Sequence, residues 1–143
     1  MAPNLRLSLE FMMSYFVVGL GGAIGSIARF WASGAVARQF GEEFPWGTLI
    51  VNVSGSFIVG AFATMTGPEG RWLASPSLRQ FFMLGICGGY TTFSSFSLQT
   101  LYLARDGEWL PAALNVLLSV ALCLVGVWLG HVLAGSLNPS RGT

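Results

Sequence analysis

Residues 85–97 read Gly85-Ile86-Cys87-Gly88-Gly89-Tyr90-Thr91-Thr92-Phe93-Ser94-Ser95-Phe96-Ser97. The glycine pair and the threonines after it are poor helix formers. They fall near the middle of a long uncharged stretch, so a helix entering it is expected to break near residues 88–92. A break frees backbone carbonyls and amides. In an apolar medium such groups persist only where protein covers them or where they line a polar cavity. Carbonyls ending the first half suit a cation, and the second half opens with the partly positive end of a helix dipole. Beyond the break, hydroxyls alternate with phenylalanines. Phe93 and Phe96 are three apart and can share a face. Hydroxyls donate as well as accept, and the edge of a phenyl ring is the positive part of its quadrupole. That chemistry suits a small anion shedding water.

A second polar set recurs at helical spacing. Thr48, Asn52, Ser56 and Gly60 are four apart, as are Asn115, Ser119 and Cys123. Helix packing accounts for small residues such as Gly21, Gly25, Gly126 and Gly130. An amide in hydrocarbon is costly without partners, so Asn52 is expected at a helix interface or a wet path. A cation path would show carboxylates or a carbonyl filter, and proton coupling would use intramembrane acids or histidine. No Asp or Glu lies within any of the long uncharged windows. Arg29 is the one charge well inside an apolar region, placed either to snorkel to an interface or to draw anions into a vestibule. His131 reads as interfacial, and Cys87 and Cys123 as buried free thiols.

The elements that must hold these residues are membrane spans. Of 143 residues, 53% are hydrophobic and 9% charged, where a soluble domain carries roughly 25% charged residues. The charges enclose uncharged windows of 18 (Glu10 to Arg29), 25 (Glu43 to Glu69), 25 (Arg79 to Arg105) and 32 residues (Glu108 to Arg141). About 20 apolar residues cross a bilayer as a helix. The expected architecture is an all-α membrane domain over 1–143, with four transmembrane helices near 11–37, 46–65, 78–103 and 109–133, the third broken. Gly41 and Pro45 mark one turn; Gly67, Pro68, Gly70 and Pro76 another. Trp46, Trp72, Trp109 and Tyr102 fall near span ends, as interfacial aromatics do. Residues 138–143 form a polar tail. A cleaved signal peptide is the rival for the first window, but no small-residue cleavage site follows its apolar core.

With four spans, Arg6, Arg71, Arg79 and Arg141 share one side; Arg38, Arg105 and Arg29 belong to the other. Four against three gives no firm orientation, which leaves open both insertion in two directions with antiparallel pairing and a single orientation. The net charge of +1, without lysine, suggests no nucleic-acid partner. No nucleophile–base pair or metal cluster suggests an enzyme.

The run Gly-Gly-x-Thr-Thr-Phe-Ser-x-Phe-Ser, here residues 88–97, resembles the signature of the CrcB/Fluc fluoride channels. Gly47-Thr48-Leu49 followed by Asn52 and Gly55 resembles their second-helix motif, and residues 21–29, with Gly25 and Arg29, their first helix. The resemblance spans the chain in length and span order. It implies a fluoride-selective channel exporting fluoride passively, multi-pass in the cell (inner) membrane and surrounded by lipid. It further implies an antiparallel dual-topology homodimer with two pores and a structural sodium (Na+) at its centre, held by carbonyl oxygens of Gly88 and Thr91. The pore phenylalanines correspond to Phe93 and Phe96, the pore amide to Asn52, and a hydroxyl track to Ser94, Ser97 and Ser119. Gln99 departs from the acidic residue many members carry there. The main rival is a dual-topology exporter of small cationic or guanidinium compounds, which would resemble proteins with a glutamate inside the first span. Glu10 precedes the apolar run. A second rival is a non-conducting membrane scaffold.

Overall fold

The computed structural model describes residues 3–68 and 70–137, with the backbone alone for residues 3–7. The polar tail 138–143, with Arg141, lies outside the described residues, as do Glu69 and the side chain of Arg6. Among the described residues every regular element is helical.

The first helix, Pro3–Phe40, is longer than the expected 11–37. Proline is tolerated in a first turn, and no breaker follows until Gly41. That residue takes φ +80°, a left-handed conformation glycine accepts freely, and its N–H bonds to the Ala37 carbonyl at 2.9 Å. The second helix is Trp46–Met65. Its end is tied down at Thr66. The Thr66 N–H and hydroxyl both donate to the Phe62 carbonyl (3.0 and 2.7 Å), and Arg79 donates to the Thr66 hydroxyl oxygen at 2.6 Å. A cation at a helix C-terminus is favourably placed.

The third span is in two halves. Ser75 caps its start, accepting the Leu78 N–H at 3.2 Å. The leading half winds from Pro76–Arg79 through a wider π-helical stretch, Gln80–Cys87, to Gly88–Tyr90. The trailing half is Phe93–Arg105. The break expected near 88–92 is confined to Thr91 and Thr92, whose backbone is extended (ψ 158° and 114°). Both glycines stay helical: Gly89 packs against Gly22 of the first helix, and Gly88 is exposed. Nothing in the sequence pattern marks the π-helical winding. A tight turn at Gly107 (φ +83°) leads into the last helix, Trp109–Leu137. The first, second and last helices are each long and apolar enough to cross a membrane, and the broken third span completes the all-α, multi-pass architecture.

Packing divides into two glycine seams. The first helix lies along the leading half, and the second along the last helix. In the first seam Gly21 faces Gly85, Gly22 faces Gly89, and Gly25 lies against the backbone of Ile86 and Tyr90. A Cβ at Gly21 would stand 2.9 Å from the Gly85 Cα, and one at Gly25 2.8 Å from the Tyr90 nitrogen. In the second seam a Cβ on Gly60 would meet the Val127 carbonyl, on Gly126 the Val53 carbonyl at 3.0 Å, and on Gly130 the Phe57 carbonyl. Lipid tails are as apolar as leucine, so close backbone approach supplies dispersion where hydrophobic burial cannot. The break carries the chain from one seam to the other: the trailing half leans on the last helix. Large apolar side chains face outward along the spans, Phe30, Tyr15 and Trp128 among them. That is the inverse of a water-facing surface.

Gly25→Ala forces a methyl against backbone that cannot swing away, and overpacking of this kind costs about 1–3 kcal/mol. Gly19 has nothing within 4 Å of its virtual Cβ, so Gly19→Ala should be neutral or up to about 1 kcal/mol stabilising. Thermal unfolding in detergent should place Gly25→Ala below wild type and Gly19→Ala at or above it. Equal tolerance would mean the seam is loose.

Candidate functional site

Extended residues in mid-span lose helical hydrogen bonds, and the second helix replaces them. Asn52 Nδ2 donates to the Thr92 carbonyl at 3.0 Å, and the Thr92 N–H donates to Asn52 Oδ1 at 2.7 Å. One side-chain amide thus pairs with both backbone groups of one residue, as a β-strand neighbour would. Asn52 has two amide hydrogens, so one remains. Thr92 also caps the trailing half. Its Oγ1 accepts the Ser95 N–H at 3.1 Å and donates to Ser95 Oγ at 3.1 Å, so Ser94 donates to Thr92 across 3.1 Å.

These bonds divert donors from two carbonyls. In an unbroken helix the Thr92 N–H would serve Gly88 and the Ser95 N–H would serve Thr91. Both go elsewhere, and Gly88 is exposed on the outer face. The donor set around Gly88 and Thr91 is therefore hard oxygen without a charged side chain. That chemistry fits a sodium ion, whose hydration oxygens carbonyls can replace.

Phe93 and Phe96 are brought together, with ring centroids 5.2 Å apart and planes tilted by 50°. Their surroundings differ. Phe93 is 77% exposed, whereas Phe96 is 7% exposed, covered within the chain. Ser94 and Ser97 are exposed on the trailing half; Ser97 donates to the Phe93 carbonyl at 2.9 Å. Ser119 is buried on the last helix, beside the trailing half rather than on its outer face. Its hydroxyl reaches Asn115 Oδ1 at 3.4 Å, Asn115 donates to Thr100 Oγ1 at 2.8 Å, and Thr100 donates to the Phe96 carbonyl at 2.8 Å. This chain fastens the trailing half to the last helix.

A cleft of about 1300 Å³ opens at the end of the molecule where residues 41–45 and 106–108 turn. Its lining includes Arg29, Ser33, Thr48, Thr92, Ser95 and Gln99. The Arg29 guanidinium makes no hydrogen bond or ion pair among the described residues, and it is the one cation lining the cleft. Glu42, Glu43, Asp106 and Glu108 line the same cleft from the turns. Gln99 Oε1 is buried there without a hydrogen-bond partner among the described residues.

The sequence reading missed three participants. Ser95 lines the cleft, and its hydroxyl hydrogen finds no acceptor among the described residues. Its spacing from Thr92 and Gln99, three and four residues, is the signal that places all three on one helix face. Asn115 belongs to a polar stripe in the sequence, but its tie to Thr100 has no sequence signal. Ser54, two residues from Asn52, reaches Tyr90 at 3.1 Å; nothing in the sequence pairs them.

Residues 16–131 match the family described as CrcB-like protein, Camphor Resistance (CrcB). The chain is similar to the fluoride-specific ion channel FluC of Rhodospirillum rubrum, 61% identical over 126 residues, which covers 88% of this chain and 98% of the relative. It is 59% identical to the protein of that name from Opitutus terrae over 132 residues, 92% and 100% of the two chains. The counterpart from Methylocella silvestris is 55% identical over 130 residues, 91% and 99%.

Asn115 is 1% exposed and serves both Thr100 and Ser119. Asn115→Ala strands buried polar partners and should cost about 1–3 kcal/mol. Ser119→Ala loses only the long 3.4 Å contact and should cost less than about 1 kcal/mol. Unfolding midpoints of the two variants check the order, and a reversed order would show that the tie to the trailing half lies elsewhere.

Proposed function

The chain belongs to the CrcB-like family, and from that premise we infer that it is a fluoride-specific ion channel, letting fluoride leave the cell passively and so lowering cytoplasmic fluoride. It is a multi-pass membrane protein and not an enzyme. The observation that carries the reading is the near end-to-end correspondence with fluoride-specific channels. The chemistry agrees with it. Fluoride is small and strongly hydrated, so leaving water is its main barrier. A path must replace that shell with several modest donors rather than one tight site, because the ion must also leave.

The proposed path uses Phe93 and Phe96 ring edges, the Ser94, Ser97 and Ser119 hydroxyls, and the amide hydrogen of Asn52 that Thr92 does not use. Ser94 and Ser97 are exposed, so their hydroxyls can rotate from intrachain acceptors to an ion. Arg29, the one cation lining the cleft, would offset part of the field of the four acidic residues at its turns. We further propose an antiparallel homodimer. The near balance of arginines supports it, and so does the exposure of Gly88, Phe93, Ser94 and Ser97 on one chain. Polar groups at membrane depth need a protein cover, and a second copy would provide it. Sodium, where bound, would supply positive charge that holds carbonyls of Gly88 and Thr91 from both copies together.

Liposomes containing the purified protein should release fluoride, followed with a fluoride electrode, and protein-free liposomes should not. Absence of release would overturn the assignment. Phe93→Ile and Phe96→Ile keep apolar bulk without the quadrupole. Flux per folded protein should fall at least about tenfold, a barrier change of ~1.4 kcal/mol. If the rings only pack, isoleucine should cost no more than ~1–1.5 kcal/mol of stability and leave flux intact. Asn52→Asp keeps the acceptor for the Thr92 N–H but turns an oxygen toward the Thr92 carbonyl and adds charge. Flux in that variant should collapse, and normal flux would remove Asn52 from the path.

A further inference from the structure

Three consecutive residues at the break are each met by the same turn of the second helix. Thr92 exchanges two hydrogen bonds with Asn52. Thr91 seats its methyl over Gly55, where a Cβ would collide with Thr91 Cγ2 and stand 3.1 Å from Tyr90 Cδ1. Tyr90 reaches Ser54, with 3.1 Å between the hydroxyl oxygens. The direction of that last bond is fixed by counting hydrogens. Ser54 has one hydroxyl hydrogen, and it is drawn to the Ile50 carbonyl at 2.7 Å. The Tyr90 O–H must therefore donate to Ser54. On its other side Thr91 is held by the Cys87 carbonyl, which accepts both its N–H and its hydroxyl at 3.0 Å.

The carbonyls of Gly88 and Thr91 lie two residues before and one residue after Tyr90. Their directions depend on the torsions of residues 88–92, and no helical hydrogen bond fixes them. We propose that Tyr90 and Ser54 are positioning residues. Their hydrogen bond, with the Asn52–Thr92 pair, clamps the break against the second helix and so holds those carbonyls in the orientation that retains sodium. The proposal rests on the reading above that these oxygens bind sodium. Tyr90 itself touches neither ion.

Tyr90→Phe is the gentle test, because Ser54 keeps its bond to Ile50 and the ring keeps its place. Ser54→Ala and the double variant complete a cycle. Two measurements on the full-length protein in liposomes are needed. Hydrogen–deuterium exchange over residues 88–95 should quicken in Tyr90→Phe and Ser54→Ala, and the double variant should be no faster than the faster single one. Fluoride efflux titrated with sodium should need about tenfold more sodium for half its maximal rate in Tyr90→Phe, a shift of ~1.4 kcal/mol in sodium binding. That loss should lie in the sodium dependence rather than in the rate at saturating sodium. Wild-type efflux indifferent to sodium would overturn the sodium reading and the functional half of this proposal with it. Sodium-dependent wild type with unchanged exchange in Tyr90→Phe would overturn the clamp alone. Faster exchange with an unshifted sodium titration would show that the clamp does not govern the carbonyls.

Discussion

The N–H and carbonyl of Thr92 belong to an extended residue midway along a span, and in hydrocarbon each unpaired group costs several kcal/mol. A break at this depth exists only because something supplies the missing partners. Asn52 supplies them with one carboxamide, the smallest side chain that offers a donor and an acceptor in the geometry of a peptide. The consequences spread along the chain. The Thr92 N–H no longer serves Gly88, so a carbonyl is released toward the outer face. The Thr92 hydroxyl is free to cap the trailing half, so the chain restarts as a helix after two residues. Phe93 and Phe96 then stand in the first turn of that new helix, beside the break.

The glycine seams make this arrangement affordable in packing terms. The leading half can approach the first helix closely enough for backbone contact because Gly21, Gly25, Gly85 and Gly89 have no side chains to separate them. The second and last helices approach likewise through Gly60, Gly126 and Gly130. With two rigid pairs formed, the trailing half needs only a local tie to the last helix, and Asn115 with Thr100 provides it. Rigid pairs joined by a braced break give a site whose polar groups are held in place rather than floating in a loop. That matters for an ion that must exchange water for protein contacts without finding a trap.

Electrostatics follow the same economy. Residues 46–65, 80–104 and 109–137 contain no carboxylate, and the part-buried Arg29 lines a cleft that reaches Thr92 and Ser95. Arg29 faces four acidic residues across the cleft mouth, and the groups beyond it, Thr92 and Ser95, are neutral donors, so no strongly charged group holds an anion at membrane depth. Glu42, Glu43, Asp106 and Glu108 are kept at the turns, exposed.

The sequence by itself determined the membrane class, the number and order of the spans, and the existence of the break. These depend on composition and local propensity: long uncharged windows, a Gly-Gly-Tyr-Thr-Thr run, and glycines at one-turn spacing are all visible along one dimension. It also marked Asn52 as an amide that must find partners, and the resemblance it carries pointed to the family. It did not say which partners, because Asn52 and Thr92 are 40 residues apart and Ser54 and Tyr90 are 36 apart. Only the folded chain decided that the glycines stay helical while the threonines break, since both are poor helix formers and the choice depends on what lies opposite. The exposure of Phe93 and the burial of Phe96, alike in type and three residues apart, were likewise settled by the neighbouring helices. Side-chain identity and spacing fix what a residue can do; the helix that faces it fixes which of those things it does.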